Sequence, residues 1–237
     1  MNIPSRSSEA LYGLRNKFLE SARAASWLFR KNAIKVFQYV AKRELSRRGY
    51  LNFLKDRPKD AFAPSLGDLW FLYRMVRRRK PACILEFGSG CSTVLMAQAL
   101  ADNAERLSSV HGFIYSVDAD SRWAAETEKF LPSHLKSFCE ISYSPLLEGE
   151  YDGVPVFRHA RIPNVRPDML FLDGPALTAE RQAAADPLDI ENRFPQHFCM
   201  IVDGRWANTM FLKKHLKRRY GFRNLRLSSM SIFELAE

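Results

Sequence analysis

The sequence predicts an α/β fold built on a mostly parallel sheet, and three observations carry that prediction. A short apolar run, Cys83 to Phe87, breaks at Gly88-Ser89-Gly90 and restarts as an apolar stretch, Val94 to Ala101. So short a run suits one buried strand, and a stretch apolar on nearly every side suits a helix packed on a sheet. Two more strand-like runs, Phe113 to Val117 and Asp168 to Leu172, are each followed at once by a carboxylate, Asp118 and Asp173. In an open α/β sheet the carboxyl ends of the strands border the ligand crevice, so acids placed there are candidates for binding or chemistry.

Taken in order, residues 1–8 read as a frayed terminus, and Glu9 to about Gly49 is helical in two stretches. Leu11, Leu14, Phe18, Ala22, Ala25 and Leu28 step by three and four, and Ile34, Phe37, Val40 or Ala41, and Leu45 repeat the pattern. Lys and Arg fill the positions between them. The expectation is a lid packed on the core with its basic residues in solvent. A basic amphipathic helix also suits an anionic membrane surface or the phosphates of a nucleic acid. Pro58 and Pro64 mark residues 50–64 as a linker. Ser65 to Val76 is a further helix, and Arg77, Arg78, Arg79 and Lys80 sit at its negative end. The chain thus divides into a basic helical extension with linker, 1–64, and a ligand-binding domain, 65–237.

The first strand, turn and helix follow. Gly88 and Gly90 let backbone N–H groups approach a ligand where a Cβ would obstruct, and Ser92 or Thr93 can cap the helix. A dinucleotide turn reads G-x-G-x-x-G, but here the third glycine position is Thr93. Glu86, two residues before the first glycine, is an awkward neighbour for a diphosphate and suits a cationic ligand. Both features count against a dehydrogenase.

The stretch Ile84 to Thr93, I-L-E-F-G-S-G-C-S-T, resembles motif I of class I S-adenosylmethionine-dependent methyltransferases. More narrowly, E-F-G-S-G-x-S-T looks like a branch of small-molecule and sugar O-methyltransferase-like proteins. The resemblance implies a Rossmann-like class I methyltransferase fold: a seven-stranded, mostly parallel sheet with an antiparallel last strand, here preceded by N-terminal helices. It implies S-adenosylmethionine as cofactor, held by Glu86, Gly88, Ser89, Gly90, Ser92 and Thr93.

In the second strand, Asp118 stands directly at the end and can accept hydrogen bonds from ribose hydroxyls, while Asp120 caps the helix Ser121 to Leu131. Phe138 to Tyr143 alternates as a third strand, and Ser144 after it would lie near the adenine. Glu148 to Val165 reads as a hairpin or excursion carrying His159, a lone loop histidine expected to be solvated. The fourth strand leads into Asp173-Gly174-Pro175, and D-x-L-F-L-D-G-P is similar to motif IV of the same proteins. Asp173 is the catalytic candidate, orienting or deprotonating the acceptor. Ala176 to Ala185 is expected to be helical, followed by irregular chain. Arg181, Asp186, Asp189, Glu191, Asn192 and Arg193 stand here as candidate substrate contacts. Cys199 to Val202 is a fifth strand and Trp206 to Arg219 a helix. Asn224 to Leu227 and Ser231 to Leu235 form a closing hairpin that resembles the sixth and seventh strands of the family.

In metal-dependent catechol-type O-methyltransferases, acids at the ends of the fourth and fifth strands bind Mg²⁺, with an Asn or Asp beside the second. Asp173 and Asp203 match those acids, but the neighbour here is Gly204, a departure that counts against Mg²⁺. Asn208 and Asp186 are the residues that could compensate.

Charge narrows the partners. Residues 1–80 carry 19 Lys and Arg against 6 Asp and Glu, whereas residues 81–200 carry 9 against 17. The core is acidic and the basic charge lies in flanking segments, which does not suit a basic active-site groove along nucleic acid. The N/D-P-P-Y/F motif expected of a nucleic-acid methyltransferase is also missing after the fourth strand. The partner expected is a small-molecule acceptor. A non-catalytic membrane-surface or partner-binding role and a homo-oligomer stay open. The four cysteines make no metal spacing, and the first 15 residues have no apolar signal core. A cytoplasmic protein with reduced thiols is expected.

Overall fold

The computed structural model describes residues 6–107, 111–175 and 183–236, with side chains from residue 26 onward, Leu107 excepted. Chain order is α1 (Arg6–Arg47), α2 (Leu66–Arg79), β1 (Cys83–Phe87), α3 (Cys91–Leu107), β2 (Phe113–Asp118), α4 (Ser121–Phe130), β3 (Cys139–Tyr143), β4 (Leu146–Tyr151), β5 (Val154–His159) and β6 (Met169–Leu172). It continues with β7 (Ala183–Ala184), α5 (Asp186–Asp189), β8 (Cys199–Val202), α6 (Trp206–His215), β9 (Tyr220–Asn224) and β10 (Ser231–Leu235).

Seven strands make one sheet in the order β3-β2-β1-β6-β8-β10-β9. The chain lays β1, β2 and β3 outward in one direction, then returns to place β6 and β8 on the other side of β1. All of these pairs are parallel. The order reverses between β1 and β6, and that reversal is where an open α/β sheet leaves a crevice. β10 is antiparallel and sits between β8 and β9, so the last strand of the chain is not the sheet's edge.

Alternation along the strands splits the core in two. Ile84, Ile114, Phe171 and Ile201 face α2 and α3, while Leu85, Val117, Leu170 and Met200 face the other layer. Because both faces are covered, the central strands are mostly apolar, with Glu86 and Ser116 as buried exceptions in β1 and β2. The second layer contains a small sheet, β4-β5-β7. β4 and β5 are the expected hairpin. Its turn, Asp152-Gly153, has φ of 50° and 73°, the left-handed pair a two-residue hairpin needs. β7 stands where helix was expected: Ala183 and Ala184 pair with β5, and Asn208 clamps Ala184 at both its N–H and its carbonyl. Residues 176–182, also expected to be helical, lie outside the described residues, and so does Arg181.

The two N-terminal helical stretches join into one helix of 42 residues. Its last turns pack on the core: Ala41 and Leu45 are fully buried, and Gln38 both donates to Ser65 Oγ and accepts from the Gly67 N–H. From Ser26 to Val36 the helix is largely exposed, so this part of it does not lie on the core as a lid. The proline-marked stretch is more than a linker. Phe53 is buried against Phe130, and the Tyr50 hydroxyl donates to Asp102 at 2.7 Å. Ser65 caps α2. In the basic run after it, Arg77 donates to Asn103 at 2.9 Å and Arg79 pairs with Glu234. Two of those four charges therefore hold the fold instead of facing solvent freely. Among the described residues, no helix is long and apolar enough to cross a membrane.

The ends of β1 and β6 approach closely enough to require glycine on both. Gly88 has φ of 94°, and a Cβ added there would lie 2.5 Å from the Gly174 N. Both obstacles are backbone and cannot swing aside. Gly88→Ala should therefore lower folding stability by about 1–3 kcal/mol, the usual cost of overpacking, or more with the added strain at positive φ. Urea denaturation of the two proteins checks this.

Candidate active site

A cleft of about 740 Å³ opens at the carboxyl ends of β1, β2, β6 and β8. Gly88, Ser89 and Gly90 form its floor, Asp118 stands on one side and Asp173 on the other. α2 closes it with Asp68, Leu69 and Leu72, and α4 with Trp123, Thr127 and Phe130. Asp203 and Arg205 follow β8 into the same space. Such a volume suits a ligand the size of a nucleoside with a further group attached.

The turn is held from below. Glu86 is completely buried, and its two carboxylate oxygens accept from Ser92 Oγ and Thr93 Oγ1, each at 2.6 Å. Thr93 Oγ1 in turn accepts from the Gly90 N–H at 2.9 Å. Thr93 thus closes the start of α3 in the manner of a capping box, reaching back to an amide the helix cannot satisfy. Burial pushes the Glu86 carboxyl up to about 7, against the opposing pull of the two hydroxyls. Glu86 and Thr93 do not line the cleft but support the Gly-Ser-Gly turn, and of the two hydroxyl residues only Ser92 borders the cleft. Gly90 is different from Gly88: an added Cβ meets no atom of the described residues within 4 Å, so it opens on the cleft.

Asp118 reaches the cleft as expected, yet much of its accepting capacity is already used. Oδ2 accepts from the Ser89 N–H at 2.7 Å and the Ser89 hydroxyl at 2.6 Å, and Oδ1 accepts from the Asp120 N–H at 2.9 Å. A carboxylate offers about four acceptor positions, so about one remains for a ligand hydroxyl. Asp120 caps α4 as predicted. Ser144 does not fit its assignment. Its hydroxyl is buried and accepts from the Arg161 N–H at 2.8 Å, which fastens the chain after β5, and Ser144 is not among the residues that border the cleft.

Asp173 keeps contact with solvent through the cleft, but surrounding protein strips much of its hydration and Asp203 adds repulsion. Its carboxyl is pushed up to about 6. Burial also raises Asp203, which accepts from Ser229 Oγ at 3.1 Å, and raises Asp68, where Asp203 contributes again. The counterweight is Arg205. It is buried, it donates through Nη2 to the Asp173 backbone carbonyl, and its Nη1 has no hydrogen-bond partner.

These acids do not form a metal centre. Among the described residues, no three His, Cys, Asp or Glu side chains gather so as to hold a metal ion. The two candidates for completing a set with Asp173 and Asp203 are engaged elsewhere. Asn208 holds β7, and Asp186 is fully buried with both oxygens on His159. A guanidinium beside the pair also takes the role a cation would have. The residues do not fit Mg²⁺.

The polar stretch after β7 is structural as well. His159 is not a solvated loop residue: it ends β5, is buried, stacks on Phe87 and lies 3.1 Å from Asp186. Asp189 pairs with Arg158 at 2.7 Å, Glu191 accepts from the Lys217 and Arg218 N–H groups, and Arg193 donates to the Pro163 carbonyl. The residues sequence reading missed are Asp68, Trp123 and Arg205. Trp123 carried a usable signal, since the Asp120 cap sets which face of the first turn of α4 looks back to the strand ends.

No protein-family model and no curated protein matches this sequence. Solved structures do resemble it. One is a methyltransferase from Geobacter sulfurreducens, 13% identical with a TM-score of 0.50, covering 85% of this chain and 90% of its own. Another is the O-methyltransferase from Bacillus cereus in complex with SAH, 13% identical with a TM-score of 0.52, covering 86% of this chain and 100% of its own. The fold is the class I methyltransferase fold. At such identities the likeness speaks for the arrangement of strands and helices, with the antiparallel β10 in its interior position, and the chemistry rests on this chain's own residues.

Proposed function

We propose that this protein is an S-adenosylmethionine-dependent methyltransferase that methylates a hydroxyl of a small-molecule acceptor. The observation that carries the reading is the glycine turn at the reversal of strand order, open to the cleft at Gly90, with one strand-end carboxylate on either side. S-adenosylmethionine would supply an electrophilic methyl group on a sulfonium. Gly88 to Gly90 would lie against its amino-acid portion, Asp118 would accept from a ribose hydroxyl, and Trp123 offers a flat apolar face for the adenine. Asp173 would hold the acceptor hydroxyl and take its proton as the oxygen bonds to the methyl carbon and the methyl–sulfur bond breaks, with S-adenosylhomocysteine as the leaving group. Arg205 fixes the Asp173 backbone and tempers the repulsion from Asp203. Leu69, Leu72 and Phe130 exclude water, which leaves the oriented acceptor as the nucleophile.

The same wall argues against a nucleic-acid acceptor. Asp68, Asp118, Asp173 and Asp203 face the cleft against Arg57 and Arg205, so phosphates would meet net negative charge. Calorimetric titration with S-adenosylmethionine, S-adenosylhomocysteine and NAD(P) in parallel tests the reading. Binding of the first two and no heat from the third is expected, and binding of NAD(P) alone would overturn it.

A further inference from the structure

Helix α1 carries a face that the fold does not use. Ala41 and Leu45 turn inward and are fully buried, and the Phe37 ring lies beside Gly67 of α2. On the opposite face Leu28, Phe29, Val36, Tyr39 and Val40 recur at a spacing of about two and three turns and form one outward stripe. They are exposed: Phe29 by 78%, Tyr39 by 68% and Val36 by 62%. A soluble protein leaving this many large apolar side chains in a row in water marks a contact surface.

The charge around the stripe identifies the partner. From Ser21 to Arg43 the chain contains no Asp or Glu, while Lys35 and Lys42 flank the stripe, Arg43 stands in line with it, and all three are exposed. Two copies of this face brought together would oppose like charges with no acid to offset them, which disfavours self-association. An apolar stripe bordered by Lys and Arg, with aromatic residues beside the cations, is the arrangement that lies in the headgroup region of an anionic bilayer. The long stems of Lys and Arg reach the headgroups while the apolar residues enter the acyl boundary.

We propose that the exposed face of α1, centred on Phe29, Val36 and Tyr39, docks this protein on anionic lipid surfaces. The inference does not depend on the chemistry in the cleft. Gln38 ties the docking helix to Ser65 at the cleft wall, so the bound protein holds its cleft at a fixed position relative to the lipid.

Flotation of the full chain with vesicles tests this, using phosphatidylglycerol mixed with phosphatidylcholine against phosphatidylcholine alone. Binding to the anionic vesicles, weakened by salt and absent with neutral ones, is expected. The double variant Phe29→Glu/Tyr39→Glu should weaken binding at least about tenfold with an unchanged melting temperature, because both side chains are exposed. No flotation with anionic vesicles, or full binding by the double variant, overturns the proposal. So does a dimer in light scattering that this variant abolishes, which would assign the face to a second copy of the chain.

Discussion

Replacing Asp173 by Asn should lower turnover about 10²–10⁴-fold, the usual cost of losing a positioned base. Asn keeps the volume and part of the hydrogen bonding, and the backbone carbonyl that receives Arg205 is untouched. Affinity for S-adenosylhomocysteine should change much less, since the glycine turn and Asp118 carry those contacts. The pH profile separates a base from a mere spacer. With the carboxyl pushed up to about 6, wild-type turnover should rise through that pH and level off above it, and the residual activity of Asp173→Asn should not follow that rise. Stability should move the other way. A carboxyl raised in the folded state favours the neutral form, so its contribution is present below the unfolded value, about 3.9, and is lost as pH rises through the folded one. Asn is free of that loss. The variant should therefore melt higher than wild type at about pH 8, and the difference should shrink toward about pH 4. EDTA should leave wild-type turnover unchanged, because among the described residues no three donors gather around Asp173 and Asp203 so as to hold a metal ion. Full turnover by Asp173→Asn would remove the residue from the mechanism.

What the sequence could show about this site depended on how local each feature is. Asp118 and Asp173 were legible because a strand's end is set by a short apolar run, and the carboxyl ends of neighbouring parallel strands share one edge. Glu86 was placed on its strand, but the direction its carboxylate takes was not legible. Whether a buried carboxylate turns to the cleft or to the helix behind it depends on Ser92 and Thr93 lying one turn into α3, close enough to donate to both oxygens. Gly88 reads as a ligand glycine in sequence, yet its need for glycine comes from Gly174, a contact spanning two strands that no local pattern encodes. Asp68 and Arg205 escaped for a related reason. Each enters the cleft through the docking of α2 or the loop after β8, and polar residues at such positions look like ordinary solvated ones. The hairpin after β3 was recognised from its turn residues, but the pairing of β5 with Ala183 and Ala184 was not, since two alanines show no strand signature.

Gly90→Val should abolish binding of S-adenosylhomocysteine while leaving the protein folded, and the contrast with Gly88 makes the prediction sharp. Both glycines belong to one turn, but the space around them differs. At Gly88 a side chain meets the Gly174 backbone, so a substitution there damages the fold first. At Gly90 an added Cβ meets nothing within 4 Å among the described residues, and φ is not positive, so a side chain can start there without a clash or backbone strain. The structural cost is limited to a poorer helix start, a few tenths to about 1 kcal/mol, which shifts the melting temperature by only a few degrees. The branched side chain then fills cleft where the ligand must come close to backbone N–H groups. Affinity should fall at least about a hundredfold, which corresponds to about 2.8 kcal/mol. Calorimetry on the two proteins at matched concentration reads this directly, with thermal melts confirming the fold. Equal affinity would mean that the ligand does not lie against this turn, and the cofactor assignment would fall with it. Loss of binding in Gly90→Val together with a native melting curve would place the ligand on the open side of the turn, between Asp118 and Asp173.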